Sequence, residues 1–111
     1  MTPEASSPSE SGNAARFAVY PGVDLYGSDV ARVQAEDVNQ CLAACLANDQ
    51  CRAITFNTDP QVSRGCFLKG DRGTSEFYDQ AISVIVLLPG EDEMLMVGSR
   101  RVSPAEVRTR P

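Results

Sequence analysis

A chain of 111 residues has room for one domain, and its polar ends leave roughly 75 residues to pack a core. Ten basic against fifteen acidic side chains, a net charge of -5 and the absence of histidine and tryptophan exclude the basic footprint of a duplex nucleic-acid binder, so no nucleic-acid partner is expected. A core of that size is marginal and commonly depends on disulfides, a metal or a partner, which makes the four cysteines the first feature to explain.

Residues 1–14 are rich in Ser, Pro and Glu, contain no apolar run, and read as a flexible linker, neither a signal peptide nor a membrane anchor. Phe17 to Tyr20 alternates large and small residues and runs into Pro21-Gly22, the pattern of a strand entering a turn. Val23 to Ser28 repeats short apolar steps between glycines, and Val30 to Gln34 has the length of a further short strand. From Glu36 to Asn48 the period becomes helical: Val38, Cys41, Leu42, Cys45 and Leu46 fall on one apolar stripe. Glu36 and Asp37 sit in the first turn, where carboxylates suit the helix dipole, and Asn48-Asp49 is a stop because Asn tolerates the left-handed conformation.

After the helix the period returns to two, with Cys51, Ala53 and Thr55 on one face and Arg52, Ile54 and Phe56 on the other, the pattern of a central strand. Asn57 to Gly65 is turn-rich, and Arg64 to Lys69 reads as the hairpin partner, with Cys66 and Leu68 sharing a face. Gly70-Asp71-Arg72-Gly73 breaks the chain, and the β-branched run Ala81 to Leu88 is the last strand. The longest apolar run, Ile82 to Leu88, is far short of the roughly 20 residues of a membrane span. Residues 89–111 read as a polar tail in which Met94 to Val97 could dock as a short extra strand, with Arg100, Arg101, Arg108 and Arg110 in solvent.

A helix lying across the sheet brings all four cysteines together. Bonding Cys41 to Cys45 within the helix is disfavoured, because i,i+4 side chains stand about 5 to 6 Å apart at Cβ where a disulfide needs about 3.8 Å. Cys45, nearest the helix end, reaches Cys51 across a tight turn, which leaves Cys41 for Cys66. A four-thiolate zinc site conflicts with the spacing, since three residues separate the paired cysteines within a helix where a knuckle has two in a turn. Neither a metal nor a cofactor is expected, and with no histidine to act as base no catalytic thiol is either.

At Cys41-Leu-Ala-Ala-Cys45, Cys51-Arg-Ala-Ile-Thr-Phe56-Asn57 and Gly65-Cys66-Phe-Leu-Lys69 the chain resembles the PAN/apple family in its minimal four-cysteine, bacterial-type form. Upstream, Tyr20-Pro-Gly-Val-Asp24-Leu25-Tyr-Gly27-Ser-Asp29 resembles the opening strand and glycine turn of bacterial members, and the likeness covers residues 15–88. It implies an α+β fold, a small disulfide-stapled domain in which a twisted antiparallel β-sheet cradles a single α-helix, with the same cysteine pairing. The hydroxyl residue that often caps the family's helix is missing, Gln34 and Ala35 standing in its place. The extra cysteine pair of animal apple domains is also absent, so their ligand specificities do not carry across.

The resemblance further implies a non-catalytic module that recognises a carbohydrate or protein ligand in an extracellular, cell-surface or periplasmic setting, as part of a larger chain or assembly. A shared fold does not transfer a site. Tyr26, Arg64, Lys69, Arg72 and Tyr78 are the candidate ligand-binding residues, as aromatic or cationic side chains expected on a sheet face or hairpin loop. Lys69 could equally just cover a hairpin edge, and the two tyrosines could pack around the core. The alternative is a structural subunit of a surface assembly that makes contacts through its terminal segments, with Met94 to Val97 adding a strand to a neighbour's sheet. Since disulfides persist in oxidising compartments, either an export signal has been removed or the chain is a segment of a longer protein.

Overall fold

The computed structural model describes residues 16–58 and 65–109. In chain order the elements are β1 (Arg16–Tyr26), β2 (Asp29–Gln34), α1 (Val38–Leu46), β3 (Ala53–Asn57), β4 (Gly65–Lys69), β5 (Thr74–Leu87), β6 (Leu95–Val97), β7 (Arg100–Val102) and β8 (Glu106–Arg108). Six strands form one antiparallel sheet in the order β2-β4-β3-β5-β1-β8, and β6 and β7 form a separate two-stranded ribbon. β3 is central, flanked by β4 and β5, and buried residues occupy both of its faces.

The helix covers one face. Cys41, Leu42 and Cys45 turn inward onto Phe17, Val19, Ile54, Phe56, Cys66, Leu68 and Val84, while Leu46, expected on the same stripe, is half exposed at the helix end. Two bridges pin the helix down: Cys41–Cys66 joins it to β4 and Cys45–Cys51 joins its last turn to the segment leading into β3. The cap comes from a residue assigned above to the first turn. Asp37 is itself the N-cap, extended in backbone, and its carboxylate accepts from the Gln40 amide at 2.9 Å while Gln40 Oε1 accepts from the Glu36 amide at 2.9 Å. At the other end Ala47 is the C-cap in the right-handed region, so the left-handed Asn48 expected as a stop is not used. Cys51 also departs from the expected alternation. It precedes the strand and packs in the helix-side cluster with Ile54 and Phe56, whereas Ala53 faces the opposite side.

Pro21-Gly22, read above as a turn, is a bulge inside β1. The strand continues to Tyr26 with its register against β5 shifted between Pro21 and Val23, and Gly22 takes the positive φ of 76°. β5 correspondingly starts at Thr74, seven residues before the expected strand, and Tyr78 to Ala81 have no partner in β1. The bulge swings Val23 to Leu25 over the sheet face opposite the helix. A buried hydroxyl pair closes the gap: the Leu25 amide donates to Thr55 Oγ1 at 3.2 Å, Thr55 and Ser83 hydroxyls bond at 2.8 Å, and Ser83 Oγ donates to the Val23 carbonyl at 2.7 Å. The Leu25 amide and the Val23 carbonyl, both displaced by the bulge, thus have partners, as burial requires.

The second face carries its own core of Ala18, Tyr20, Val23, Leu25, Ala53, Ile85 and Leu87, and the segment after Leu88 covers it. This corrects the reading of residues 89–111 as a mostly solvated tail. Leu95 and Val97 are buried there with Val102 and Val107 packed beside them, β8 adds an edge strand to β1, and the Tyr20 hydroxyl donates to the Glu93 carbonyl. Arg16 reaches Glu93 Oε2 at 3.2 Å and the Glu91 carbonyl at 2.7 Å, Arg108 donates to Asn39 Oδ1 at 2.7 Å, and Arg100 lies 5.9 Å from the centre of the Phe77 ring. The run Met94 to Val97, expected above as a short extra strand, supplies β6, whereas Val102 and Val107 stand singly among polar residues, a spacing that hides them in composition but suits three-residue strands laid on a sheet.

Two expectations about stability follow from this architecture. Replacing both cysteines of a bridge with serine is expected to destabilise the fold by about 3.5 kcal/mol for Cys41–Cys66 and about 2.4 kcal/mol for Cys45–Cys51, because the loops they close differ in length. Urea unfolding of the two double variants measures the order, and equal losses would mean that loop closure does not govern it. Truncation after Leu88 is expected to expose Tyr20, Leu25, Ile85 and Leu87, lower the thermal midpoint by 10 °C or more (about 2 kcal/mol or more for a domain of this size) and create a surface that binds a hydrophobic dye.

Candidate ligand-binding site

Strand alternation decides which side chains of the β3–β4 hairpin are available to a ligand. Ile54, Phe56, Cys66 and Leu68 point to the helix, so Thr55, Asn57, Phe67 and Lys69 lie on the opposite face, with Thr55 directly across from Phe67 and Ala53 across from Lys69. The bulged half of β1 forms a wall over this surface. Asp24 and Tyr26 from the wall and Asp29 at the start of β2, with Asn57, Phe67 and Lys69 from the floor, enclose an open cleft of about 210 Å³.

The turns at one end of the sheet hold the wall in place. The Gly70 amide donates to the Ser28 carbonyl at 2.7 Å, Ser28 Oγ donates to Asp71 Oδ1 at 2.9 Å, and the Gly73 amide donates to the same oxygen at 2.7 Å. Gly73 has no substitute: its φ is 59° and a Cβ there would stand 2.1 Å from the Tyr26 carbonyl oxygen.

Lys69 is 4% exposed, and its ammonium is committed to Asp29 Oδ1 and the Gly27 carbonyl while lying 5.6 Å from the centre of the Phe67 ring. Its charge therefore shapes the cleft by drawing the β1–β2 turn onto β4. Asp24 is half-buried, and burial raises its carboxyl above the ordinary range against the opposing effects of the Tyr26 hydroxyl bond and the Lys69 charge. The Asp24 charge in turn raises the Tyr26 phenol, whose side chain is 49% exposed, while Asp71 is lowered by the Gly73 amide and the Ser28 hydroxyl. The cleft thus presents an open aromatic ring beside carboxylate and amide groups on rigid strands, the combination that lets a ring stack while hydroxyls bond.

A second cleft of about 240 Å³ opens on the other side of the 70–73 turn, where Arg52, Asp71, Arg72 and Glu91 surround Ile85 and Leu88. Of the residues singled out from the sequence, Tyr26 and Lys69 line the first cleft and Arg72 the second. Tyr78 is half-buried on β5, close enough to act electrostatically on Tyr26, and Arg64 lies outside the described residues. Sequence reasoning missed Asp24, Asp29, Asn57 and Phe67. Phe67 was within reach, since a strand with Cys66 and Leu68 inside must turn Phe67 and Lys69 out. Asp24 was not, because its place depends on the bulge.

Among the described residues no helix is long and apolar enough to cross a membrane, and no group of three or more His, Cys, Asp or Glu side chains is placed to hold a metal ion. The family model described as PAN domain matches residues 15–86, well over half of the chain. The chain belongs to the PAN domain family. No curated protein matches it. PAN domains bind proteins or carbohydrates and are not enzymes, and the single helix, antiparallel sheet and two bridges of this chain form a small α+β member. The family match ends in β5, so the β6–β8 segment that closes the second face of this PAN domain lies beyond it.

The opposite shifts of Asp24 and Asp71 give a pH signature. A raised carboxyl disfavours folding above its raised pKa and has no effect below its ordinary value. A lowered one contributes stability above the ordinary value that is lost as pH falls through the lowered pKa. Asp24→Asn is therefore expected to raise stability at neutral pH and Asp71→Asn to reduce it; on acidification the Asp24 difference vanishes once pH is below the ordinary carboxyl range, and the Asp71 difference persists further, until pH falls through its lowered pKa, as read by urea unfolding across that range.

Proposed function

We propose that this PAN domain is a carbohydrate-recognition module working outside the cytoplasm, at the cell surface, in the periplasm or in the extracellular medium, and that it holds its ligand in the Tyr26 cleft. The observation that carries the reading is the exposed Tyr26 ring set beside Asp24, Asp29 and Asn57 on a frame of part-buried ion pair, bulge and turns. A sugar places its C–H face on the ring and its hydroxyls on the carboxylates and the amide, while Lys69 orders Asp29 without itself reaching the ligand. Nothing in this scheme breaks a bond; the site retains and releases. The two bridges support the location, because such bonds persist where the surroundings are oxidising.

The assembly reading drew on Met94 to Val97. Leu95 and Val97 are buried against their own sheet, with β6 paired to β7, so the two buried side chains of that segment are already used within the domain and Met96, with half-exposed Met94, is what it shows to solvent. Recognition of a glycan through the first cleft rests instead on the exposed Tyr26 ring.

The test is a glycan array probed with the tagged full chain, followed by titration of the best neutral oligosaccharide. Tyr26→Ala is expected to weaken binding at least tenfold, about 1.4 kcal/mol, with the thermal midpoint unchanged because the side chain is half exposed. Full affinity in Tyr26→Ala, or an array without a single bound neutral glycan, would remove this reading.

A further inference from the structure

The second cleft contains two guanidinium groups that the fold engages little. Arg52 is held rigidly at its backbone: its amide donates to the Lys69 carbonyl at 2.7 Å, its carbonyl accepts from the Val86 amide at 2.9 Å, and the residue before it is bridged to α1. Its side chain is exposed and makes no hydrogen bond or ion pair among the described residues. Arg72 makes one long bond, 3.4 Å from Nη2 to the Asp92 carbonyl. The two carboxylates of the cleft are already engaged. Asp71 Oδ1 accepts from Ser28 Oγ and the Gly73 amide, and Glu91 Oε1 accepts from the Leu88 amide at 2.7 Å. Each keeps its second oxygen for a hydroxyl donor. Beneath them lie buried Ile85 and half-exposed Leu88.

We propose that this cleft is a second binding site, specific for an acidic sugar, and that Arg52 and Arg72 together hold the carboxylate of a single uronic-acid ring. Guanidinium groups suit a carboxylate because their planar donors match its two oxygens. Two arginines against two carboxylates make the lining neutral, and the chain as a whole carries -5, so a sulfated or phosphorylated polyanion would be repelled where a single negative charge is not. The free oxygens of Asp71 and Glu91 accept ring hydroxyls, and Ile85 and Leu88 receive the C–H face. A volume of about 240 Å³ is that of a pocket for one small ring. The assignment does not depend on the Tyr26 cleft, and each site can fail without the other.

The experiment titrates the 15N-labelled full chain with glucuronate, using glucose as the neutral counterpart and acetate as the bare carboxylate, and follows the amide and side-chain N–H signals of Arg52, Arg72 and Glu91. Glucuronate is expected to give saturable shifts there, glucose none and acetate much weaker ones. Arg52→Gln and Arg72→Gln are each expected to weaken glucuronate binding about tenfold or more with dispersed, folded spectra, and Arg101→Gln on β7 to leave it unchanged. Equal shifts from glucose, acetate binding as tight as glucuronate, or undiminished affinity in both arginine variants would each overturn the proposal. Tyr26→Ala distinguishes the two sites, because it is expected to weaken neutral-glycan binding at least tenfold without moving the glucuronate titration.

Discussion

The Cys41–Cys66 bond joins the middle of α1 to the second residue of β4, and the two-residue period of a strand carries that attachment through the whole hairpin. With Cys66 held inward, Leu68 must follow it into the helix-side core, and Phe67 and Lys69 must emerge on the opposite face. Through the Thr55–Phe67 register the same parity passes to β3, setting Ile54 and Phe56 inside and leaving Thr55 and Asn57 on the face with the cleft. A slip of one residue would reverse all of these placements. The covalent link therefore selects which side chains meet a ligand as well as holding the helix down.

The opposite face is organised by the bulge at Pro21-Gly22. Shifting Val23 to Leu25 off the line of β1 gives Thr55 and Ser83 buried backbone groups to satisfy, and gives the cleft its wall. It also leaves apolar residues, Tyr20 and Leu87 among them, that the only helix in the described residues cannot reach from the far side. The β6–β7 ribbon and β8 supply that cover, which is why a segment beyond the family match is part of the core of this member.

What could be read from the sequence follows from pattern strength. The helix and the β3–β4 hairpin were legible because their apolar residues repeat with a clear period and their cysteines restrict the geometry. The first half of β5 was not, since Ser75, Glu76, Asp79 and Gln80 are polar and exposed or half-exposed on both faces, so no alternation marks the strand. The run Met94 to Val97 marked one strand, whereas Val102 and Val107 are too sparse to announce β7 and β8, yet each finds a place on a sheet that already exists. Asp37 was recognised as favourable to the helix dipole, but its role as the cap depended on its own extended backbone. Of the first cleft, Tyr26 and Lys69 stood out by residue type. That Lys69 is consumed by Asp29 is a matter of distance in space, set by a turn whose two central residues, Gly27 and Ser28, both take positive φ.

The pairing of β1 with β8 sets Phe17 opposite Arg108, so the chain enters and leaves the described fold at the same corner. Tension applied through the flanking segments would pull these two antiparallel strands apart from their adjacent ends and break their hydrogen bonds one after another, as a zipper opens. β8 has three residues, so this contact would yield early and release slack. Further in, the Cys41–Cys66 link prevents the strand-and-helix segment it spans from extending at all. A module tethered in this way gives under load in its last strands while the frame around the Tyr26 cleft stays closed.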